Sequence, residues 1–166
     1  MAQTNLRKYA VIERLGKMDV DLIDVTTTCD VSGTGNNDVL FDYVEIPNAV
    51  SVKGGSAIIQ SIQVLDEDDV GTTLDLVFQT DSTSLGTVDA AVSITDANAR
   101  DILGFVSVSS YFDGIAWQMA TKTNIGLVVK AASTTRSIYV AGVNRNGGSV
   151  THTVNGIKLR IGIVKD

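Results

Sequence analysis

Four consecutive acids, Asp66, Glu67, Asp68 and Asp69, form the densest run of metal-binding side chains in the sequence. Clustered carboxylates offer hard oxygen ligands, so cation binding is the chemistry they suggest. An EF-hand loop begun at Asp66 would place Asp68 and Gly71 correctly, but Val70 and Val77 would fall where oxygen ligands are required. The flanking segments "SAIIQSIQVLD" and "TTLDLVFQT" both alternate in polarity, and a short connection containing Gly71 between such runs reads as a hairpin. On that reading the acids are a solvated tip that blunts edge pairing, and whether they also hold a cation stays open.

The other reactive residue types are sparse. His152 is the single histidine, in "VTHTVNG", which excludes His-rich metal sites and makes any Ser-His-Asp system depend on it alone. It is expected to be an ordinary surface or sheet residue. Cys29, in "TTTCDV", has no basic neighbour to lower its pKa and reads as a small, partly buried hydrophobe. "SGTGNND" lacks the third glycine of a dinucleotide fingerprint, and "NRNGG" lacks the Lys-Ser/Thr pair of a P-loop. Asn146 and Gly147 in the latter suit a tight hairpin, with Arg145 available to a partner at its tip. Carboxylate pairs for glycoside hydrolysis could come from any two strands, but Trp117 is the sole tryptophan. With Phe105, Phe112 and Met119 near it in sequence, it is expected in the core. No catalytic residue, cofactor site or metal site is assigned, and no enzymatic activity is expected.

The elements that position these residues are strands. In "GIKLRIGIVKD", Ile157, Leu159, Ile161 and Ile163 alternate with Lys158, Arg160 and Gly162, the period of a half-buried strand. Ile58, Ile62 and Val64 share a face in the first segment above, with Gln60 breaking the row. Leu74, Leu76 and Phe78 share one in the second. Further strands are predicted at 21–28, 38–46, 88–94, 104–110, 115–121, 124–131 and 136–144, with a short helix over 95–103, capped by Thr95 or Asp96 and stopped at Gly104. Pro47 closes the strand ending at Ile46. Turn clusters at this spacing predict an all-β fold, an antiparallel β-sandwich of jelly-roll type with roughly eight to ten strands.

Composition narrows the function classes. The 166 residues, 44% hydrophobic and 19% charged, are sufficient for one well-buried domain. Within the net charge of −6, residues 1–18 hold four cations against one acid, a local +3, which leaves −9 on residues 19–166. An acidic body disfavours direct contact with nucleic-acid phosphates. One cysteine forms no internal disulfide, and no apolar run resembles a signal peptide or spans a bilayer, so synthesis and retention inside a cell are expected. Residues 1–18 are read as a docking or subunit-exchange arm, with Leu6, Arg7, Lys8, Tyr9, Val11, Ile12 and Arg14 as the candidate contacts, and residues 19–166 as a single sandwich domain.

The segments "SAIIQSIQVLDEDDVGTTLDLVF", "ITDANARDILGFVSV", "ATKTNIGLVVKAASTTRSIYVAGV" and "GIKLRIGIVKD" together resemble small virion proteins of tailed bacteriophages, the head decoration or cement proteins. The resemblance covers roughly residues 56–166. It implies a structural protein made in the host cytoplasm and seated on the capsid exterior. It further implies the major capsid protein as partner, self-association as a homotrimer or other homo-oligomer, and neither nucleic acid nor membrane as ligand. A carbohydrate-binding or tail-associated module, using Trp117 or Tyr111, is the alternative. A sandwich enzyme with an unrecognised carboxylate site is the third.

Overall fold

The computed structural model describes residues 19–165, so the candidate arm contacts Leu6, Arg7, Lys8, Tyr9, Val11, Ile12 and Arg14 lie outside the described residues. Nine strands follow in order: β1 (Asp19–Thr26), β2 (Val39–Ile46), β3 (Ser56–Asp66), β4 (Leu74–Gln79), β5 (Ile102–Val108), β6 (Phe112–Asp113), β7 (Gln118–Lys130), β8 (Ile138–Asn144) and β9 (Ile157–Lys165). They form two antiparallel sheets, β1-β9-β3-β7-β6 and β2-β8-β4-β5. The fold is therefore the all-β sandwich that the alternation predicts. Its pairs nest, β1 with β9, β2 with β8, β3 with β7 and β4 with β5, so one antiparallel ribbon is wound across both sheets. With β6 as a short addition at one edge, this is jelly-roll connectivity.

The core lies between the sheets. Ile59, Ile62, Val64, Leu159, Ile161 and Ile163 meet Phe41, Leu74, Leu76, Phe78, Ile138 and Val140, all of them buried. Each such side chain contributes about 1.5–3 kcal/mol relative to exposure. The β4 and β9 rows match the predicted inward faces. In β3 the parity changes part-way: Ile59 pairs with Ile163 but Ser61 with Gly162, so Gln60 is an extra residue, and Ile58 points outward while Ile62 and Val64 point inward. A smaller cluster of Val39, Leu85, Ala141 and Val143 covers the other side of the second sheet.

Five expectations are corrected, the tight hairpin at "NRNGG" among them. The 88–94 segment is not a strand; it touches the sheet through isolated bridges at Val88 and Ala91. The predicted helix shrinks to one 3-10 turn, Asn98–Asp101, although the Thr95 hydroxyl does accept from the Asn98 amide at 3.3 Å. The strands at 115–121 and 124–131 are one strand, β7, with a bulge at Asn124–Gly126, where Asn124 and Gly126 take positive φ. Most consequentially, "VLDEDDVGTTLDLVF" is not a hairpin. β3 and β4 belong to different sheets, and residues 67–73 carry the chain across one end of the sandwich. The β8–β9 connection containing "NRNGG" makes the same crossing.

Candidate functional site

Where the two crossings meet, period 2 carries the buried row of β3 one step further, from Ile62 and Val64 to Asp66, which is fully buried. The acid is satisfied by the turn that follows it. Its Oδ1 accepts from the Asp68 amide at 3.0 Å, and its Oδ2 from the amides of Val70 at 3.2 Å and Gly71 at 2.8 Å. Gly71 sits at φ 66°, where a side chain would be strained and its Cβ would push the Gln118 side-chain oxygen aside. Glu67 and Asp69 remain exposed, and Glu67 pairs with Lys158 at 2.5 Å. The wet tip is thus two of the four acids.

The other two face the β8–β9 connection. Asp68 accepts from the Thr153 amide at 2.7 Å and from its hydroxyl at 2.9 Å, against the backbone of Gly156. Between them lies His152, in a loop with its side chain wholly removed from solvent, where an ordinary surface or sheet residue was expected. Its Nε2 lies 2.8 Å from the Thr72 hydroxyl. Its Nδ1 points at Asp68 Oδ2 (3.4 Å) and Asp66 Oδ1 (3.6 Å), and has no hydrogen-bond partner among the described residues. Burial alone would push Asp66 upward. The facing imidazole and the amides of Gly71 and Asp68 outweigh burial and hold its carboxyl below the usual range. Tyr111 closes the neighbourhood by donating its hydroxyl to the Thr72 carbonyl at 2.7 Å, and burial pushes that phenol far up. Cys29, buried beside Thr27, is likewise pushed up by burial, in keeping with an inert thiol.

Two apolar features face outward. On the open face of the five-stranded sheet, Val20 on β1 lies beside Val164 on β9, which lies beside Ile58 on β3, which lies beside Val128 on β7. Val20 and Val128 are each 63% exposed, and Leu22 stands next to the row over Gly162. The open face of an antiparallel sheet is ordinarily polar, so four apolar neighbours across four strands form a patch rather than scattered exposure. Because Ile58 joins only through the parity change at Gln60, periodicity alone places it on the wrong face.

The second feature is the β6–β7 turn. Phe112, Ile115 and Trp117 are exposed there, and Phe105 is exposed on β5, so none of the three aromatics lies in the predicted core. The Phe112 and Trp117 rings stand 6.0 Å apart, while Ile115 is 93% exposed at φ 77°. A β-branched residue in that region is strained.

No site residue was expected at Asn144, yet it organises the second crossing. Fully buried, it directs Nδ2 at the carbonyls of Thr34, Gly35 and Gly148, each at 2.9 Å, while Oδ1 accepts from the Asn146 amide at 2.8 Å. Arg145 beside it bonds Asp75 at 2.7 Å and also reaches Asn37.

No protein-family model and no curated protein matches the chain. Among solved structures, the capsid of Ralstonia phage GP4 is similar at 16% identity over 91% of this chain and 86% of that chain, with a TM-score of 0.36. Superposition at that level leaves the sandwich assignment resting on this chain's own strand order.

Proposed function

We propose that the chain is a structural protein of a tailed-bacteriophage virion, a decoration or cement protein that seats on the assembled major capsid protein shell. The observation that carries this reading is the apolar row Val20–Val164–Ile58–Val128 on the open sheet face. A rigid sandwich with such a face adds buried apolar area at each junction it covers, and many weak additions stabilise a shell collectively. The row also begins at Val20, directly after the cationic segment 1–18, so arm and face could engage one partner together. Jelly rolls recur in virus shells and in lectins alike, so the reading rests on the row and not on the architecture. The role is non-enzymatic and needs no nucleic-acid contact, in keeping with the −9 charge of residues 19–166. Clustering of copies, as trimers or another ring, would present several rows at once.

The test has two arms. Quantitative mass spectrometry of purified particles should find this chain at about one copy, or a simple fraction, per major capsid protein; absence from particles would sink the proposal. In the second arm, purified protein is added back to stripped particles. Val20→Lys with Val128→Lys, both at exposed positions, should keep the fold and lose at least about tenfold in affinity, since two buried valines and two desolvated charges oppose docking. Unchanged binding would remove the row from the mechanism.

The exposed Phe112 and Trp117 rings favour one second reading, a carbohydrate-binding module with these rings as the sugar platform. It predicts saturable glycan binding that Trp117→Ala abolishes and that the valine variants leave intact.

A further inference from the structure

We propose that Asp66, Asp68 and His152 form a structural site for a zinc-class divalent cation. Three potential donors, Asp66 Oδ1, Asp68 Oδ2 and His152 Nδ1, lie within 4.8 Å of one another. Asp66 ends β3, Asp68 lies in the β3–β4 crossing and His152 in the β8–β9 crossing. The imidazole makes the cluster more than a group of acids. Its side chain is wholly buried, and its Nδ1 aims between two carboxylates without a hydrogen-bond partner among the described residues.

The distances suit a cation shared by the three groups. A charge-assisted N–H···O bond between imidazolium and carboxylate closes to about 2.7–2.9 Å. The observed 3.4 and 3.6 Å are longer than that. They match two edges of a tetrahedron around a zinc-sized ion: Zn–N and Zn–O bonds near 2.0–2.2 Å at tetrahedral angles put the ligand atoms about 3.3–3.6 Å apart. Calcium would draw on six to eight oxygens, and magnesium would demand an octahedron with shorter edges, so one nitrogen and two carboxylates select the zinc class.

The surroundings suit a metal ligand. With an ion on Nδ1, the remaining Nε2–H would face the Thr72 hydroxyl 2.8 Å away, and Tyr111 in turn holds the Thr72 carbonyl. Among the described residues Asp66 Oδ1 accepts only the Asp68 amide, and Asp68 is oriented by the Thr153 amide and by the Thr153 hydroxyl, which its two oxygens share. Asp68, with 17% of its side chain exposed, marks the entry path and the side from which water could complete the coordination. Bound there, the ion ties both sheet crossings at the Asp66 end of the sandwich, and its binding energy becomes folding energy. This inference stands independently of the virion reading.

The test uses the full chain, stripped with chelator and titrated with Zn²⁺ alone. Calorimetry should give one equivalent, and the unfolding midpoint should rise by about 5–10 °C near a hundredfold excess over Kd. Co²⁺ should give the intense visible bands of a tetrahedral site. His152→Gln and Asp68→Asn should each lose the equivalent, the shift and the bands. Asp68 is part-exposed, so Asp68→Asn remains informative if His152→Gln does not fold. No saturable shift with Zn²⁺ or Co²⁺, or a shift undiminished in a folded variant, would overturn the proposal.

Discussion

Replacing Asn144 with aspartate changes one amide nitrogen to oxygen and nothing in shape, so its effect isolates hydrogen-bond polarity. In the native protein the Nδ2 protons serve three carbonyls at 2.9 Å. In the variant a carboxylate oxygen faces those same three acceptors in a position with no solvent exposure. Two donated bonds are lost at about 1 kcal/mol each, and the buried anion adds its desolvation and repulsion, for about 3–5 kcal/mol in all at neutral pH. For a chain of this size that lowers the midpoint of thermal unfolding by about 10–15 °C.

The same change predicts a pH dependence of definite sign. Burial among acceptors raises the new carboxyl's folded pKa above its unfolded value of about 3.9. The penalty is therefore full above the folded pKa and shrinks as pH falls through it towards the unfolded value. There the protonated acid donates to one carbonyl and only the second lost bond remains. Urea unfolding of native protein and Asn144→Asp at pH 7 and pH 4.5 measures it, with Asn146→Asp, at an exposed neighbour, as control. A penalty below about 1 kcal/mol at pH 7, or one equal at both pH values, would refute this account of the loop.

Three further outcomes are expected. Gly156→Ala places a Cβ 1.7 Å from Asp68 Oδ2 and forces the carboxylate off Thr153, which should cost about 2–3 kcal/mol in urea unfolding and abolish any zinc-dependent shift. Ile115→Asn relieves a β-branched residue at φ 77° and, since Ile115 is almost wholly exposed, forfeits little burial; calorimetry should show a gain of about 0.5–1 kcal/mol. Tyr111→Phe removes the bond to the Thr72 carbonyl and should cost about 1 kcal/mol, with faster amide exchange at Thr72 and Thr73.

The sandwich class was legible because alternation is a local property: the inward rows of β4 and β9 follow directly from their own residues. Pairing is not local. A glycine-containing connection of a few residues looks the same whether it closes a hairpin or crosses between sheets, so Asp66–Asp69 read as a solvated tip when they lie at a sheet crossing. A signal was nevertheless present. Parity puts Asp66 in line with Ile62 and Val64, and an acid at an inward position demands partners. His152 carried no comparable mark, because its burial depends on two loops brought together by the winding of the whole ribbon. Ile58 was misplaced for the opposite reason, a single inserted residue at Gln60 that resets the period and turns a core position into part of the outward patch.

The nesting of β1 against β9 has a practical side for anyone attaching cargo to this protein. Asp19 and Lys165 are Cα partners, so a bulky group attached at either of these two strand ends would sit beside Val20 and Val164 and shadow the row assigned to docking. The β6–β7 turn lies at the other end of β3, eight residues beyond Ile58 or roughly 26 Å away. A peptide inserted at Ala116 would be carried clear of that row, making the turn the better place for display on a particle surface.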